Sequence, residues 1–165
     1  MSWTAVSNAM ILLIMANLMP WALGLMCGSR WAAPMDCGVI WRDGRRLLGS
    51  HKTWRGLAVS ILGCGATAGL LGMHWLLGVQ FAGLSMLGDA VSSALKRRRG
   101  REPGQDDAGI DQLPEALLPL IFLRNALNLG WREIVLVTTV FAILDLMSLR
   151  VRNPRQRPVE ADGGT

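Results

Sequence analysis

A chain of 165 residues that is 51% hydrophobic and 18% charged has room for one domain or one membrane bundle. Its charges stand in blocks between uncharged runs, the pattern of an integral membrane protein rather than of a soluble core. The formal charge of +5, carried almost wholly by arginine with lysine only at 52 and 96, suits anionic lipid surfaces or nucleotide phosphates; basic clusters that abut apolar spans fit nucleic acid poorly.

Ala5 to Met26 is uncharged and long enough to span a bilayer. It has neither a basic leader nor a small-residue cleavage site, so it reads as a retained helix. Pro20 removes one backbone hydrogen bond and predicts a kink; Asn17 is either interhelical glue or part of a site. Gly28 to Arg55 is a polar loop carrying Arg30, Arg42, Arg45, Arg46, Lys52 and Arg55, with turns at Asp43-Gly44 and Gly49-Ser50. Directly before a helix, such a loop is either a phosphate-binding element or an ordinary positively charged loop at the membrane surface. Gly56 to Gly88 has no charge and is too long for one span. A break near Gly78–Gln80 predicts helices at about 57–77 and 81–98. Gly65-x-x-x-Gly69 allows close packing, and Trp75 reads as an interfacial belt residue.

The third helix carries the most informative pattern. Ser85, Asp89, Ser92 and Lys96 fall on one narrow polar stripe, with Ser93 at its edge, while Leu84, Leu87, Val91 and Leu95 face the other way. A carboxylate within an apolar helix needs a partner, a cavity or an ion. The run Lys96-Arg97-Arg98-Arg99 is either a topological anchor or a phosphate cluster. After the loop at 100–109 come Asp111-Gln112, a short apolar helix at about Glu115–Leu127 with Arg124 reaching the outer interface, and a fifth helix at about Arg132–Leu149 with Asp145 in its last two turns. The expected architecture is all-α and polytopic: one membrane-embedded catalytic domain over 1–150, about five transmembrane helices with two charged cytoplasmic loops, and a disordered cytoplasmic tail over 151–165. The 28–55 loop, the 96–114 loop and the segment from Arg150 onward hold 15 of the 17 Lys/Arg residues, which sets that side as cytoplasmic and the N-terminus as outside; the expected location is the plasma membrane.

The three cysteines have no metal-ligand spacing, their odd number argues against a disulfide framework, and His51 and His74 are the two imidazoles. No Ser-His-Asp order stands out. Nucleotidyl transfer asks for none of these: an acceptor phosphate is already an ionised nucleophile, and the enzyme supplies cations and a metal.

The segments PMDCG (34–38), DGRRLLGSHKTWRG (43–56), GLSMLGDAVSSALKRR (83–98) and GIDQL (109–113) resemble, in order and spacing, the CDP-archaeol synthase family of membrane cytidylyltransferases. The likeness covers roughly residues 34 to 115. It implies a magnesium-dependent reaction in which CTP and a lipid phosphate, archaetidic- or phosphatidic-acid-like, give a CDP-lipid and pyrophosphate, with a distant likeness to phosphatidate cytidylyltransferases. It implies Asp89 and Asp111 as metal ligands, and Asp89, Asp111, Lys52 and Lys96 as catalytic residues. Asp43, Arg45, Arg46, Lys52, Arg55, Lys96, Arg97, Arg98 and Gln112 are the implied substrate contacts. The first-loop cations suit one polyphosphate, and Lys96, Arg97 and Arg98 suit the other phosphate, whether from lipid or nucleotide. The partners expected are CTP, a lipid phosphate and the bilayer, with no nucleic acid.

The chain departs from the family pattern after Asp111-Gln112-Leu113. There it has Pro114 and then Glu115 where a second aspartate is usual, so Glu115 takes over the acidic role or Asp89 and Asp111 act alone. The other classes weighed are a small non-catalytic membrane scaffold or transporter subunit and a CDP-alcohol phosphotransferase. The phosphotransferase pattern of spaced aspartates is absent after Asp43-Gly44.

Overall fold

A computed structural model describes residues 2–28, 30–40, 44, 47–48, 52–98 and 112–152, with the backbone alone described at Arg97, Gln112 and 149–152. The described residues form five helices: α1 (Trp3–Cys27), α2 (Trp54–Leu70), α3 (Trp75–Arg98), α4 (Gln112–Phe122) and α5 (Trp131–Arg152). The all-α reading therefore holds. The expected tail at 151–165 lies, beyond its first two residues, outside the described residues.

The starts of α1 and α2 each have a local cause. The Ser2 side chain accepts from the Ala5 N–H and caps α1, and the Thr53 side chain accepts from the Gly56 N–H at 3.1 Å and caps α2. The break between α2 and α3 falls earlier than the sequence suggests. Gly72, at φ +75°, ends α2, and the Met73 N–H reaches back to the Ala68 carbonyl at 2.9 Å. Gly78 and Gln80, expected in the linker, are inside α3. An uncharged run offers no polarity step to mark its turn, and Gly78 has another use. A Cβ there would lie 2.8 Å from the Ala68 Cβ and closer still to the Cys64 carbonyl, so only glycine lets α3 pack this tightly on α2. Half of the Gly65-x-x-x-Gly69 motif works in the same way: Gly65 faces Val79, whereas nothing lies within 4 Å of a Cβ at Gly69.

The fourth helix also differs from expectation. It spans Gln112–Phe122 rather than 115–127, because the chain turns through Leu123 to Asn128, where Asn128 takes φ +54°. At 11 residues it is about 16 Å long, half of a hydrocarbon core of about 30 Å. Its start packs at the level of Gly88, where a Cβ would sit 2.7 Å from the Glu115 Cα. α4 is thus a half-length return leg that begins at mid-depth beside α3. Arg124, beyond its end, stacks its guanidinium over Trp131 at 4.9 Å.

Inside the bundle Leu12, Leu13, Phe81, Leu120, Ile134 and Val137 are fully buried among alanines. Outside, Leu62, Leu70, Leu87, Val91, Leu95, Val135, Ile143 and Met147 are exposed, so the surface is as apolar as the core. That surface suits lipid. Trp3, Trp75 and Trp131 are exposed at the first residues of α1, α3 and α5, which share one end of the bundle. Along α1, Trp3 and Trp21 stand about 27 Å apart at 1.5 Å per residue, the spacing of two aromatic belts. Among the described residues, α1 alone has both the length and the hydropathy of a full span.

Candidate functional site

The end of the bundle opposite Trp3 gathers the C-terminal end of α1, the start of α2 and the end of α3. The described segment at 33–35 is tied to the start of α2 by backbone hydrogen bonds. The Met35 N–H donates to the Lys52 carbonyl at 2.8 Å and the Trp54 N–H to the Ala33 carbonyl at 3.0 Å, forming an isolated antiparallel bridge between Pro34 and Thr53. Asp36 fastens the loop from inside. Only 5% exposed, it accepts from the Gly38 N–H at 3.1 Å and the Leu48 N–H at 3.3 Å. Arg55 closes the other edge, donating to the Gly28 carbonyl at 3.1 Å and to the Arg30 carbonyl.

This fastening delivers Lys52 to α3. Its Nζ is hydrogen-bonded and ion-paired to the Asp89 Oδ2, with both side chains about one-fifth exposed. The polar stripe faces inward as its period requires: Ser85 and Ser92 are buried, whereas Leu87, Val91 and Leu95 are exposed. Of the partner, cavity or ion expected for a carboxylate at position 89, the structure shows a lysine partner, and it comes from a segment 37 residues away.

Lys52 and Asp89 form the wall of a cleft of about 470 Å³ between α1, α2 and α3. Asn17, Pro20, Trp21 and Gly24 of α1 line one side, Thr53, Arg55 and Gly56 another, and Met86 lies beside Asp89. The size suits a small organic ligand. Cations, a carboxylate, a ring and apolar methylenes converge there, which suits a molecule with a phosphate and an apolar or aromatic part. A smaller apolar hollow of about 220 Å³ lies between α1 and α5 and is also lined by Asn17, with Asp145 and Ser148. Ser148 donates to the Asp145 carboxylate at 3.4 Å and to its backbone carbonyl at 2.8 Å.

The structure brings Lys52, Arg55 and Asp89 together. Lys96 and Arg98 do not line the cleft: Lys96 is two turns beyond Asp89, about 10 Å along the axis, and Arg98 is exposed at the helix end. Asp43, Arg45, Arg46 and Asp111 lie outside the described residues, as do the side chains of Arg97 and Gln112. Among the described residues no three His, Cys, Asp or Glu side chains converge as a ready-made metal cage. Sequence reasoning missed Asp36 as the loop's fastener and Trp21 as a cleft residue. The signal for Asp36 was a carboxylate two residues before a glycine in a loop, the ordinary signature of a turn.

The described residues thus form an all-helical bundle with an apolar exterior and a cleft at one end that carries Lys52, Arg55 and Asp89, an architecture that suits a membrane-embedded protein. The chain superposes, with a TM-score of 0.68 and 29% identity over 84% of its length and 90% of the other chain, on a solved structure described as an intramembrane enzyme for archaeal membrane lipids biosynthesis. Residues 5–81 match the family profile described as CarS-like, CDP-archaeol synthase. The CDP-archaeol synthase of Sulfurisphaera tokodaii is 39% identical over 122 residues, covering 67% of this chain and 72% of the relative. That of Methanopyrus kandleri is 38% identical over 152 residues, covering 88% and 84%. The chain belongs to the CDP-archaeol synthase family and is a nucleotidyltransferase-type enzyme.

Proposed function

We propose that the chain transfers the cytidylyl group of CTP to the phosphate of a membrane lipid, releasing pyrophosphate, in the cleft between α1, α2 and α3. The observation that carries this reading is the Lys52–Asp89 pair at the cleft wall. It unites the two resembling motifs, KTWRG and GDAVSSALKRR, at one end of the bundle.

In this reaction a lipid-phosphate oxygen forms a bond to the α-phosphorus of CTP. The bond from that phosphorus to the bridging oxygen breaks, and the electron pair leaves with pyrophosphate. No proton must be removed from the nucleophile. Lys52 presents a compact positive charge to phosphate oxygens. Arg55 and the first-turn N–H groups of α2 add to the positive field at the cleft's inner edge. Trp21 offers a ring face and an apolar wall where the lipid stem and the nucleotide meet. Lys96, Arg97 and Arg98 lie farther along α3 and suit a second phosphate that approaches from the membrane surface.

Asp89 fits magnesium: it is an oxygen donor on the cleft wall, already holding one cation at its carboxylate. Asp111 is the further ligand expected from the family pattern. When bound, magnesium would neutralise charge on the phosphates and on the departing pyrophosphate.

The basic end faces the cytoplasm on this reading, the N-terminus is outside, and the plasma membrane is the site of action. The acceptor is a lipid phosphate of either ether or ester type. Pyrophosphate release by the purified protein, measured with each of the four ribonucleotides, tests the reaction class. Release is expected with CTP and only when a lipid phosphate is added. Release from ATP at an equal rate, or release without acceptor, would contradict it.

A further inference from the structure

Glu115 is buried at 7% exposure in the first turn of α4, a helix whose other ten residues are uncharged. Its Oε1 has no hydrogen-bond partner. A carboxylate oxygen in such a position is costly unless a donor or a cation meets it. Pro119 adds a second acceptor at the same residue, because it has no N–H to give the Glu115 carbonyl its helical bond.

The packing that puts Glu115 there is specific. Gly88 lets the start of α4 press against α3, which holds Glu115 level with Asp89, the next residue along. The Glu115 carboxyl lies within electrostatic range of Asp89, Lys52 and, more weakly, Asp145, with the Asn17 side chain beside it. Asn17 spends one amide N–H on the Leu13 carbonyl at 3.1 Å. Ser85, one turn before Asp89, also has a buried oxygen without a partner. Two carboxyl groups and one lysine thus come together where α4 presses on α3, with a Glu115 oxygen and the Ser85 hydroxyl both buried without a hydrogen-bond partner. The neutral neighbours can donate hydrogen bonds but bring no positive charge.

We propose that Glu115 is the second protein carboxylate of a divalent-cation site shared with Asp89. The proposal rests on the nucleotidyl-transfer reading above. The cation is hard and takes oxygen ligands, as magnesium or manganese does. The carboxylate enters the seam from α4, one residue after Pro114, because Gly88 leaves the space for it. Asn17 is placed to orient the Glu115 carboxyl.

The test is manganese binding by the purified full chain in detergent, read as loss of the free Mn²⁺ electron paramagnetic resonance signal, with and without CTP. Glu115→Gln keeps the size and removes the charge. It is expected to weaken Mn²⁺ binding by about tenfold or more, since even partners behind the ligands are worth 10–100-fold, while thermal melting stays near wild type. Wild-type Mn²⁺ affinity in Glu115→Gln overturns the proposal, whatever its activity. If Glu115→Gln does not fold, Glu115→Asp decides: it keeps the charge and withdraws the oxygens by one methylene. Weakened binding in Glu115→Asp then supports the assignment, and unchanged binding sinks it. Asp89→Asn separates the two levels. If it loses Mn²⁺ while the Glu115 variants do not, Glu115 alone is wrongly assigned. A wild-type protein that binds no Mn²⁺ even with CTP, and transfers no cytidylyl group, removes the underlying reading as well.

Discussion

Gly88→Ala is the substitution that separates packing from chemistry most sharply. A Cβ at that position meets the Pro114 carbonyl group and comes within 2.7 Å of the Glu115 Cα. Both are backbone atoms, so no side-chain rotation relieves the contact. To reach ordinary separation at 3.4 Å, α4 must retreat from 2.7 Å by about 0.7 Å at Glu115, and by more at Pro114. Overpacking of this kind costs about 1–3 kcal/mol. Alanine returns about 1 kcal/mol through its better helix propensity, so the net loss of stability is at most about 2 kcal/mol. The effect on rate is expected to be larger than the effect on folding. A displacement of about 1 Å at a catalytic group lowers rates by up to about 100-fold, and α4 carries Glu115 into the seam beside Asp89. The assay is CTP-dependent label transfer to lipid, with melting in the same detergent. Gly69→Ala is the control, since nothing lies within 4 Å of its Cβ; it should keep the rate and gain up to about 1 kcal/mol. A Gly88→Ala protein with wild-type turnover and melting would refute the close approach of α3 and α4.

Two further predictions concern the cleft and the topology. Lys52→Arg should insert normally yet show a raised KM for CTP or a lowered kcat, because the planar guanidinium does not replace a compact ammonium on both Asp89 and a phosphate; unchanged kinetics in Lys52→Arg and Lys52→Ala together would return Lys52 to an anchoring role. A cysteine introduced at Gln105 should be protected from an impermeant reagent in intact cells and one at Ser2 should be labelled; the reverse pattern would invert the topology.

The helical stripe of Ser85, Asp89 and Ser92 was legible because period alone fixes which residues share a face, and burial follows that face. Asp89 demanded a partner, yet its identity was not legible, since pairing across 37 residues depends on how a loop folds. Asp36 hid for a related reason: a loop aspartate looks like a solvent-facing turn residue until its two backbone donors are placed. The α2–α3 turn was misplaced because glycines at 72 and 78 carry the same letter and opposite roles. Gly72 supplies a positive φ, and Gly78 supplies a gap for a neighbouring carbonyl. Glu115 stood out in sequence as a departure from a pattern. Its burial and its orphan oxygen come only from the contact at Gly88. The four resembling motifs specified the family more firmly than any fold argument, because four motifs in one order and spacing are far more specific than any one of them.

The central claim is cytidylyl transfer at the Lys52–Asp89 cleft. Its most direct measurement uses CTP labelled on the α-phosphate, purified protein in lipid nanodiscs, and a lipid-phosphate acceptor, with wild type and Asp89→Asn run side by side. Label is expected to enter the lipid one-for-one with pyrophosphate in the wild type. In Asp89→Asn the rate should fall by about 100-fold or more, as loss of a group that stabilises transition-state charge costs about 3 kcal/mol, while the protein stays folded. Equal label incorporation by Asp89→Asn, or pyrophosphate release with no labelled lipid in the wild type, would contradict it.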